Sequence, residues 1–322
     1  MNIKDICAKL RRLLEDSVKR NLADGILLSG GLDTSIIATL ASKHRKLKAF
    51  TVAFEEAPSP DIEYAKQIAE KLKLEHTIYE MSMDKIYAEL PTVIIAMNSF
   101  DPMEIRNSIV ILVGLEAANE AGVNTILTGD GADELFAGYS FLFKYSKEEL
   151  KRELQKLWEN MHFSTRDLAA HLNMEAKLPY LDEAFQSFAK QIDPELKVHK
   201  EKEGMIGKWI LRKAFEEILP QNIVWRVKTP IEQGSGTAYL PKIFSQLISD
   251  TEFEEKKQKI LQEDHVEIRD KEQLTYYEIY RCEIGVPSSK KKEGRKCPKC
   301  NSNVPKNATY CRTCGAYPIS RS

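Results

Sequence analysis

The sequence predicts an α/β fold: a parallel sheet wrapped by helices, a helical extension, and a small metal-held module at the C-terminus. Three observations predict it. Short apolar runs alternate with helical patterns of about a dozen residues through the first 146 positions, as βαβ units require. The stretch from 147 to 284 is mostly helical in pattern, with no strand series. Four of the six cysteines then fall in two Cys-x-x-Cys pairs near the end.

In order, residues 3 to 23 place Ile3, Ile6, Leu10, Leu13, Leu14 and Val18 at helical spacing, an amphipathic opening helix. Residues 25–28 read as a buried strand, 34–45 as a helix, 47–54 as a second strand, 61–73 as a helix and 76–79 as a third strand. Residues 107–121 read as a helix and 125–128 as a fourth strand. The implied division is an N-terminal helix (1–23), an α/β core (24–146), a helical part (147–284), a basic linker (285–296) and the cysteine module (297–318).

Hydrophobic residues make up 43% and charged residues 30%, enough for a core and too apolar for a disordered chain. No apolar run approaches the ~20 residues of a membrane helix. Met1 to Asp5 carry no secretory pattern, and cysteines are too sparse for a disulfide scaffold, so a cytoplasmic chain is expected. Cys7 and Cys282 are expected as small, partly buried helix residues. The net charge of −1 is uneven: residues 285–322 hold nine basic groups and one acid, a net +8, leaving −9 for the rest. Such a tail suggests a module with its own partner.

The first predicted strand runs into Ser29-Gly30-Gly31-Leu32-Asp33-Thr34-Ser35 and then a helix. Glycines admit a ligand to the backbone, and the free N–H groups of a first helical turn favour an anion. Ser29, Thr34 and Ser35 add hydroxyls. No Gly-Lys-Ser/Thr follows and no Gly-x-Gly-x-x-Gly is present, so this is neither a Walker loop nor a dinucleotide turn. Asp33 within an anion nest suggests Mg²⁺ between carboxylate and phosphates. On spacing alone, a glycine turn that merely caps a helix would also fit. The fourth strand leads into Thr128-Gly129-Asp130-Gly131-Ala132-Asp133-Glu134-Leu135-Phe136-Ala137-Gly138-Tyr139. Its three carboxylates repel one another without a cation or a basic partner.

Ser29 to Asp33 resembles the pyrophosphate loop of the N-type (PP-loop) ATP pyrophosphatases. The stretch 128–139 resembles the signature of the asparagine synthetase family within that superfamily. Lys208-Trp209-Ile210-Leu211-Arg212-Lys213, Leu219-Pro220 and Val224-Trp225-Arg226-Val227-Lys228 resemble its later signatures, and Glu175 to Asp182 does so more loosely, with Lys177 where an arginine is usual. The resemblance covers roughly residues 24 to 250. It implies an adenine-nucleotide-binding α/β domain and an ATP-dependent carbon–nitrogen ligase of amino-acid biosynthesis that forms an acyl-adenylate and releases AMP and pyrophosphate. It further implies that Ser29, Gly30, Gly31, Asp33, Thr34 and Ser35 hold the ATP phosphates, that Asp33 and Asp133 share Mg²⁺, and that the backbone at Val52 and Gly129 contacts adenosine. Asp130 would handle the proton of the attacking amine, and Lys228 would neutralise transition-state charge. The chemistry agrees: a carboxylate is a poor electrophile until adenylated, and the charge on departing pyrophosphate calls for cations.

Two departures stand out. Asn2 follows Met1 where a glutaminase nucleophile would be cysteine, and 28 residues precede the first loop. Ammonia is therefore expected from outside this chain, free or from a separate amidotransferase subunit. Residues 100–108 align with the family's aspartate-binding segment and keep Arg106, suited to a carboxylate, but Met103 and Glu104 stand where threonines are usual. The β-carboxyl of aspartate is the simplest substrate. A β-lactam-synthetase-like ligase and an RNA-modifying enzyme remain alternatives on the same ATP site.

Cys297-x₂-Cys300-x₁₀-Cys311-x₂-Cys314 suits tetrahedral structural Zn²⁺, a zinc ribbon with no open coordination position. So small a module depends on its metal to fold. Its basic groups would suit RNA phosphates, an acidic protein face or the acidic body of the chain itself, and the first expectation for the module is a docking or stabilising appendage. The six histidines form no metal-ligand spacing.

Overall fold

The computed structural model describes residues 1–201, 204–288 and 294–319. The predicted strands and helices form, with small shifts at their ends. Helix α1 (Ile3–Arg20) is followed by strand β1 (Gly25–Leu27), α2 (Leu32–Ala41), β2 (Lys48–Phe54), α3 (Asp61–Leu72), β3 (Glu75–Met81), α4 (Met83–Met97), α5 (Pro102–Glu120), β4 (Thr125–Leu127) and α6 (Ala132–Phe136). One five-stranded sheet has the order β3-β2-β1-β4-β5, where β5 is Glu175–Lys177. Strand β1 pairs in parallel with β2 and β4, and β4 pairs in parallel with β5. No sequence signal marked β5. It is a polar edge strand of three residues inside a helical stretch, and its Lys177 pairs with Glu175 at 2.5 Å.

The chain forms two compact units. The first comprises Met1–Val52, Pro60–Tyr79 and Gly114–Pro230. Its core takes the buried stripe of α1 (Ile6, Cys7, Leu10, Leu14, Val18), nearly all of α2, Leu127 of β4, and Ile210, Leu211 and Phe215 of the helix Trp209–Phe215. Helix α2 starts two residues earlier than its apolar pattern suggests, directly after Gly31, which brings Asp33 into its first turn. Helix α1 is pinned to the helix Trp209–Phe215 by Arg11, whose Nη1 donates to the Ala214 carbonyl at 2.7 Å.

The second unit comprises Ala53–Ser59, Glu80–Val113 and the described residues of Ile231–Ser322. The helix Lys271–Glu283 buries Leu274, Tyr276, Tyr277 and Tyr280. Phe100 packs edge-on against Tyr277 and Tyr280, with ring centres 5.0 and 5.1 Å away. Cys7 is buried as expected, but Cys282 is exposed. The inner face of its helix is occupied by the tyrosines, and two residues beyond Tyr280 the helix has turned outward. Strands Arg295–Lys296 and Asn303–Val304 pair antiparallel in the cysteine module. Lys290, Lys291 and Lys292 of the basic linker, and Arg321, lie outside the described residues. No helix among the described residues is long and apolar enough to cross a membrane.

Candidate active site

The two glycine-bearing loops leave neighbouring parallel strands, β1 and β4, at their carboxyl ends, where open α/β sheets bind ligands. Gly30 takes φ +67°, and a Cβ there would lie 2.3 Å from backbone atoms of Tyr64 and Ala65, so only glycine lets this loop pass α3. Gly31 is the N-cap of α2, and no side chain caps that terminus. Its N–H groups and helix dipole are suited to an anion. Ser29 Oγ lies 3.1 Å from Thr34 Oγ1 and accepts the Gly31 N–H at 3.2 Å. Ser35 Oγ is buried with no hydrogen-bond partner.

The second loop closes against the first. A Cβ on Gly129 would stand 3.0 Å from Asp33 Cβ and 3.1 Å from Thr34 Cγ2, so glycine permits this approach. Asp33 and Asp133 thereby converge on a third residue. Lys208 Nζ lies 2.5 Å from Asp33 Oδ2 and 2.8 Å from Asp133 Oδ1. The lysine side chain is 3% exposed. Its backbone is left-handed, φ 57°, unusual for a residue with a long side chain, and its N–H is held by the Phe136 carbonyl at 2.9 Å. Burial lowers the Lys208 pKa, but Asp133 and Asp33 outweigh burial and raise it. Burial likewise raises Asp133, yet Lys208 and Lys228 overcome this and hold its carboxyl below the usual range. Asp33 goes the other way: burial raises it, and Lys208 offsets that only in part.

Lys208 was visible in the sequence only as part of a matching stretch, although the demand for a basic partner among these acids was legible. Lys228 Nζ reaches Asp133 Oδ2 at 3.5 Å and lies 5.5 Å from the Tyr139 ring centre. The turn before it is anchored twice. Arg212, buried, donates from Nε to the Gly207 carbonyl at 2.9 Å and from Nη1 to the Val224 and Arg226 carbonyls. Arg226 pairs with Asp61 at 2.6 Å and stacks 3.9 Å over the Tyr64 ring.

The remaining acids of the second loop are separated by environment. Glu134 accepts from Tyr139 OH at 2.6 Å, and burial raises its pKa. Asp130 also has a pKa raised by burial, with the Thr165 and Thr128 hydroxyls working against the rise. Its Oδ2 is buried and has no hydrogen-bond partner. A carboxyl so placed is suited to exchange a proton with an amine. Val52 is buried on β2 (8% exposed), beside Thr51, whose hydroxyl donates to the Leu28 carbonyl at 2.5 Å and lies 2.8 Å from His76 Nε2.

Arg106 belongs to the second unit and does not stand free there. Its Nε meets Glu232 Oε2 at 2.8 Å and its Nη1 meets Glu272 Oε2 at 2.7 Å. Glu272 is 3% exposed, accepts from Tyr276 OH at 3.0 Å, and is pushed by burial up to about 7. Of the two residues that depart from the resembling segment, Met103 is 57% exposed, and Glu104 accepts from Ser108 Oγ at 3.3 Å.

The four cysteines of the module are buried and place one sulfur each within 4.8 Å of all the others. Cys297 and Cys314 sulfurs are 3.8 Å apart, and Cys300 and Cys311 sulfurs 3.7 Å. Tetrahedral bonds of about 2.3 Å from sulfur to metal imply sulfur–sulfur edges of about 3.8 Å.

A family profile described as asparagine synthase matches residues 9–168 and 144–276. The glutamine-hydrolyzing asparagine synthetase of Asparagus officinalis is 32% identical over 255 residues, which is 72% of this chain and 43% of that protein. Glutamine-hydrolyzing asparagine synthetase 1 of Arabidopsis thaliana matches at the same identity and the same coverage. The chain thus spans less than half the length of these relatives. Among solved structures, an NMN synthetase from Francisella tularensis matches at 16% identity, covering 91% of this chain and 99% of that one, with a TM-score of 0.39.

Proposed function

Because the chain belongs to the asparagine synthase family, a family of ATP-dependent carbon–nitrogen ligases, we propose that it is an amide-forming synthetase. In the first step a carboxylate oxygen, most simply of the aspartate β-carboxyl, attacks the α-phosphorus of ATP. The bond to the bridging oxygen breaks and pyrophosphate leaves. In the second step ammonia, free or delivered by a separate amidotransferase subunit, attacks the acyl carbon. AMP leaves with its oxygen, and the amine proton passes to Asp130.

The observation that carries this reading is the meeting of Asp33 and Asp133 beside an uncapped helix start. Ser29, Gly30, Gly31, Thr34 and Ser35 would hold the phosphates, with the orphaned Ser35 hydroxyl and the backbone donors of the first turn facing anionic oxygen. Val52 and Gly129 would line the nucleoside. Asp33 Oδ1 is buried without a hydrogen-bond partner, which suits Mg²⁺, an ion that takes oxygen ligands. Bound by Asp33 and Asp133, Mg²⁺ would supply positive charge to the departing pyrophosphate. Lys208 keeps the two carboxylates together, and Lys228, 30% exposed and 3.5 Å from Asp133, would add a second positive charge. Four buried cysteine sulfurs at tetrahedral spacing suit structural Zn²⁺ in the ribbon. Arg106 would receive the substrate's carboxylate by releasing Glu232, at 16% exposure the more accessible of its two partners.

The RNA-directed alternative would draw on cations of the ribbon. Arg295 is engaged by the carbonyls of Ala308 and Ile319, and Lys299 by Glu267. The deciding experiment is ATP–pyrophosphate exchange with single amino acids, with and without ammonia and tRNA. Exchange that depends on one amino acid, with AMP formed once ammonia is added, supports the proposal. ADP and phosphate as products, or exchange only with tRNA, would refute it.

A further inference from the structure

The zinc-ribbon candidate is fastened to the rest of its unit through both knuckles. Beside the first, Glu267 N–H donates to the Lys299 carbonyl at 2.8 Å and Asn301 Nδ2 donates to the His265 carbonyl at 2.9 Å. The second meets the residues that start α5. Phe100 N–H donates to the Thr313 carbonyl at 2.8 Å, and Ser99 Oγ donates to the Arg312 carbonyl at 2.7 Å. Tyr310 OH donates to Asp101 Oδ2. Gly315 has φ +74°, and a Cβ there would lie 2.1 Å from Asp101 Oδ1, so the knuckle rests directly on this aspartate. Asp101 is 3% exposed. It starts α5: its Oδ1 accepts the Met103 N–H at 3.3 Å and its carbonyl accepts the Ile105 N–H at 2.9 Å. Arg106 follows one turn later.

The same knuckle holds the other side of the Arg106 pair. Gln273 Nε2 donates to the Cys314 carbonyl at 2.7 Å, both groups buried. Gln273 adjoins Glu272 on the helix Lys271–Glu283, and Glu272 is the buried partner of Arg106. Cys311 to Gly315 therefore touches the residues that start α5 and, through Gln273, the helix Lys271–Glu283, and the side chains of these two helices meet at Arg106.

We propose that the second cysteine knuckle is a positioning element for Arg106: through Asp101 and Gln273 it sets the placement of the Arg106–Glu272 pair, and so the affinity for the carboxylate substrate. Four cysteines bound to one ion give the knuckle a fixed shape. Without the ion, the backbone carbonyls of residues 312–314 lose their defined positions, and the first turn of α5 loses its clamp. The inference rests on the reading of Arg106 as the carboxylate partner.

The test uses the full chain and two readouts. The first is hydrogen exchange before and after metal removal with a chelator. Faster exchange at residues 100–106 and 271–277, with the first turn of α2 still protected, is the expected result. Unchanged exchange there on metal loss would overturn the proposal. The second is kinetics of Tyr310→Phe and Gln273→Ala, whose retained zinc is checked by elemental analysis. Losing one hydrogen bond, buried at Gln273 and part-buried at Tyr310, should raise KM for aspartate roughly three- to tenfold, with KM for ATP unchanged. Parallel shifts of both KM values, or none in either variant, would overturn it. If aspartate supports no turnover in the unmodified protein, the substrate reading fails, and the exchange measurement still decides whether the knuckle holds α5.

Discussion

Asp33 and Asp133, a hundred positions apart in the chain, share a single ammonium, with Lys208 Nζ 2.5 Å from one carboxylate and 2.8 Å from the other. Removing that ammonium leaves two largely buried acids, 18% and 19% exposed, facing each other, with Lys228 still 3.5 Å from Asp133. Lys208→Met is expected to lose about 3–5 kcal/mol of stability, the usual cost of stripping one partner from a buried ion pair. Mg²⁺ with ATP should restore part of the loss, because the metal would neutralise the same two carboxylates. Urea denaturation with and without Mg·ATP measures both. A variant as stable as the parent without Mg²⁺ would show that Lys208 is not the counter-ion holding the loops together.

Asp130 should act on one half-reaction only. Its pKa is raised by burial, and the ionised form is the one that can take the amine's proton. Amide formation is therefore expected to rise with pH through a pKa above the ordinary carboxylate range of about 4. Asp130→Asn should lower amide formation about 10²–10⁴-fold and abolish that limb, while pyrophosphate exchange stays within about threefold. Equal loss in both half-reactions would assign Asp130 to nucleotide binding instead.

Much of this site was legible because its chemistry is local in sequence. Gly30, Gly31 and Asp33 announce an anion loop by residue type, and the crowding of Asp130, Asp133 and Glu134 announces a need for cations. The partner that answers the need was not legible. Lys208 reaches the loops from 74 residues beyond Glu134, and it does so through a left-handed backbone position that no propensity would suggest. Strand β5 was missed for a related reason. An edge strand of Glu175, Ala176 and Lys177 has no apolar pattern, and only its pairing with β4 defines it. Arg106 was legible as a cation suited to a carboxylate, but its two glutamates lie 126 and 166 positions away, and only the fold brings them to it. The cysteine spacing gave the ribbon, whereas its seat on Asp101 and Gln273 depends on tertiary packing alone.

Glu232 should compete with the substrate. It holds Arg106 Nε at 2.8 Å and is the more exposed of the two glutamates. Glu232→Gln weakens that hold without removing the side chain's volume. KM for aspartate is expected to fall about threefold, since a charge-assisted bond is replaced by a neutral one, and kcat should change little. Steady-state kinetics at fixed saturating ATP decide it. A rise in KM would instead identify Glu232 as the partner of the substrate's ammonium group, and Arg106 would lose its assigned role.

Lys197 offers a pH test of the first unit that does not involve the reaction. Its side chain is fully buried, its Nζ has no hydrogen-bond partner, and it lies 4.8 Å over the Trp158 ring. Burial lowers its pKa to about 7, with Asp193 opposing the shift and Lys190 adding to it. In an unfolded chain the amine stays protonated up to about pH 10.4. Between these values the unfolded state binds a proton that the folded state does not, so stability should rise with pH across this window. Below about pH 7 the folded state carries a buried ammonium and the full penalty applies. Lys197→Met keeps the length of the side chain and removes the charge. It should be more stable than the parent by about 2 kcal/mol or more at pH 6.5, and the gap should narrow steadily toward pH 10. Urea denaturation of both proteins at pH 6.5, 8 and 9.5 gives the difference directly, with the other titrating groups cancelling. A gap that does not change with pH would mean that Lys197 keeps its proton throughout, held by the Trp158 face.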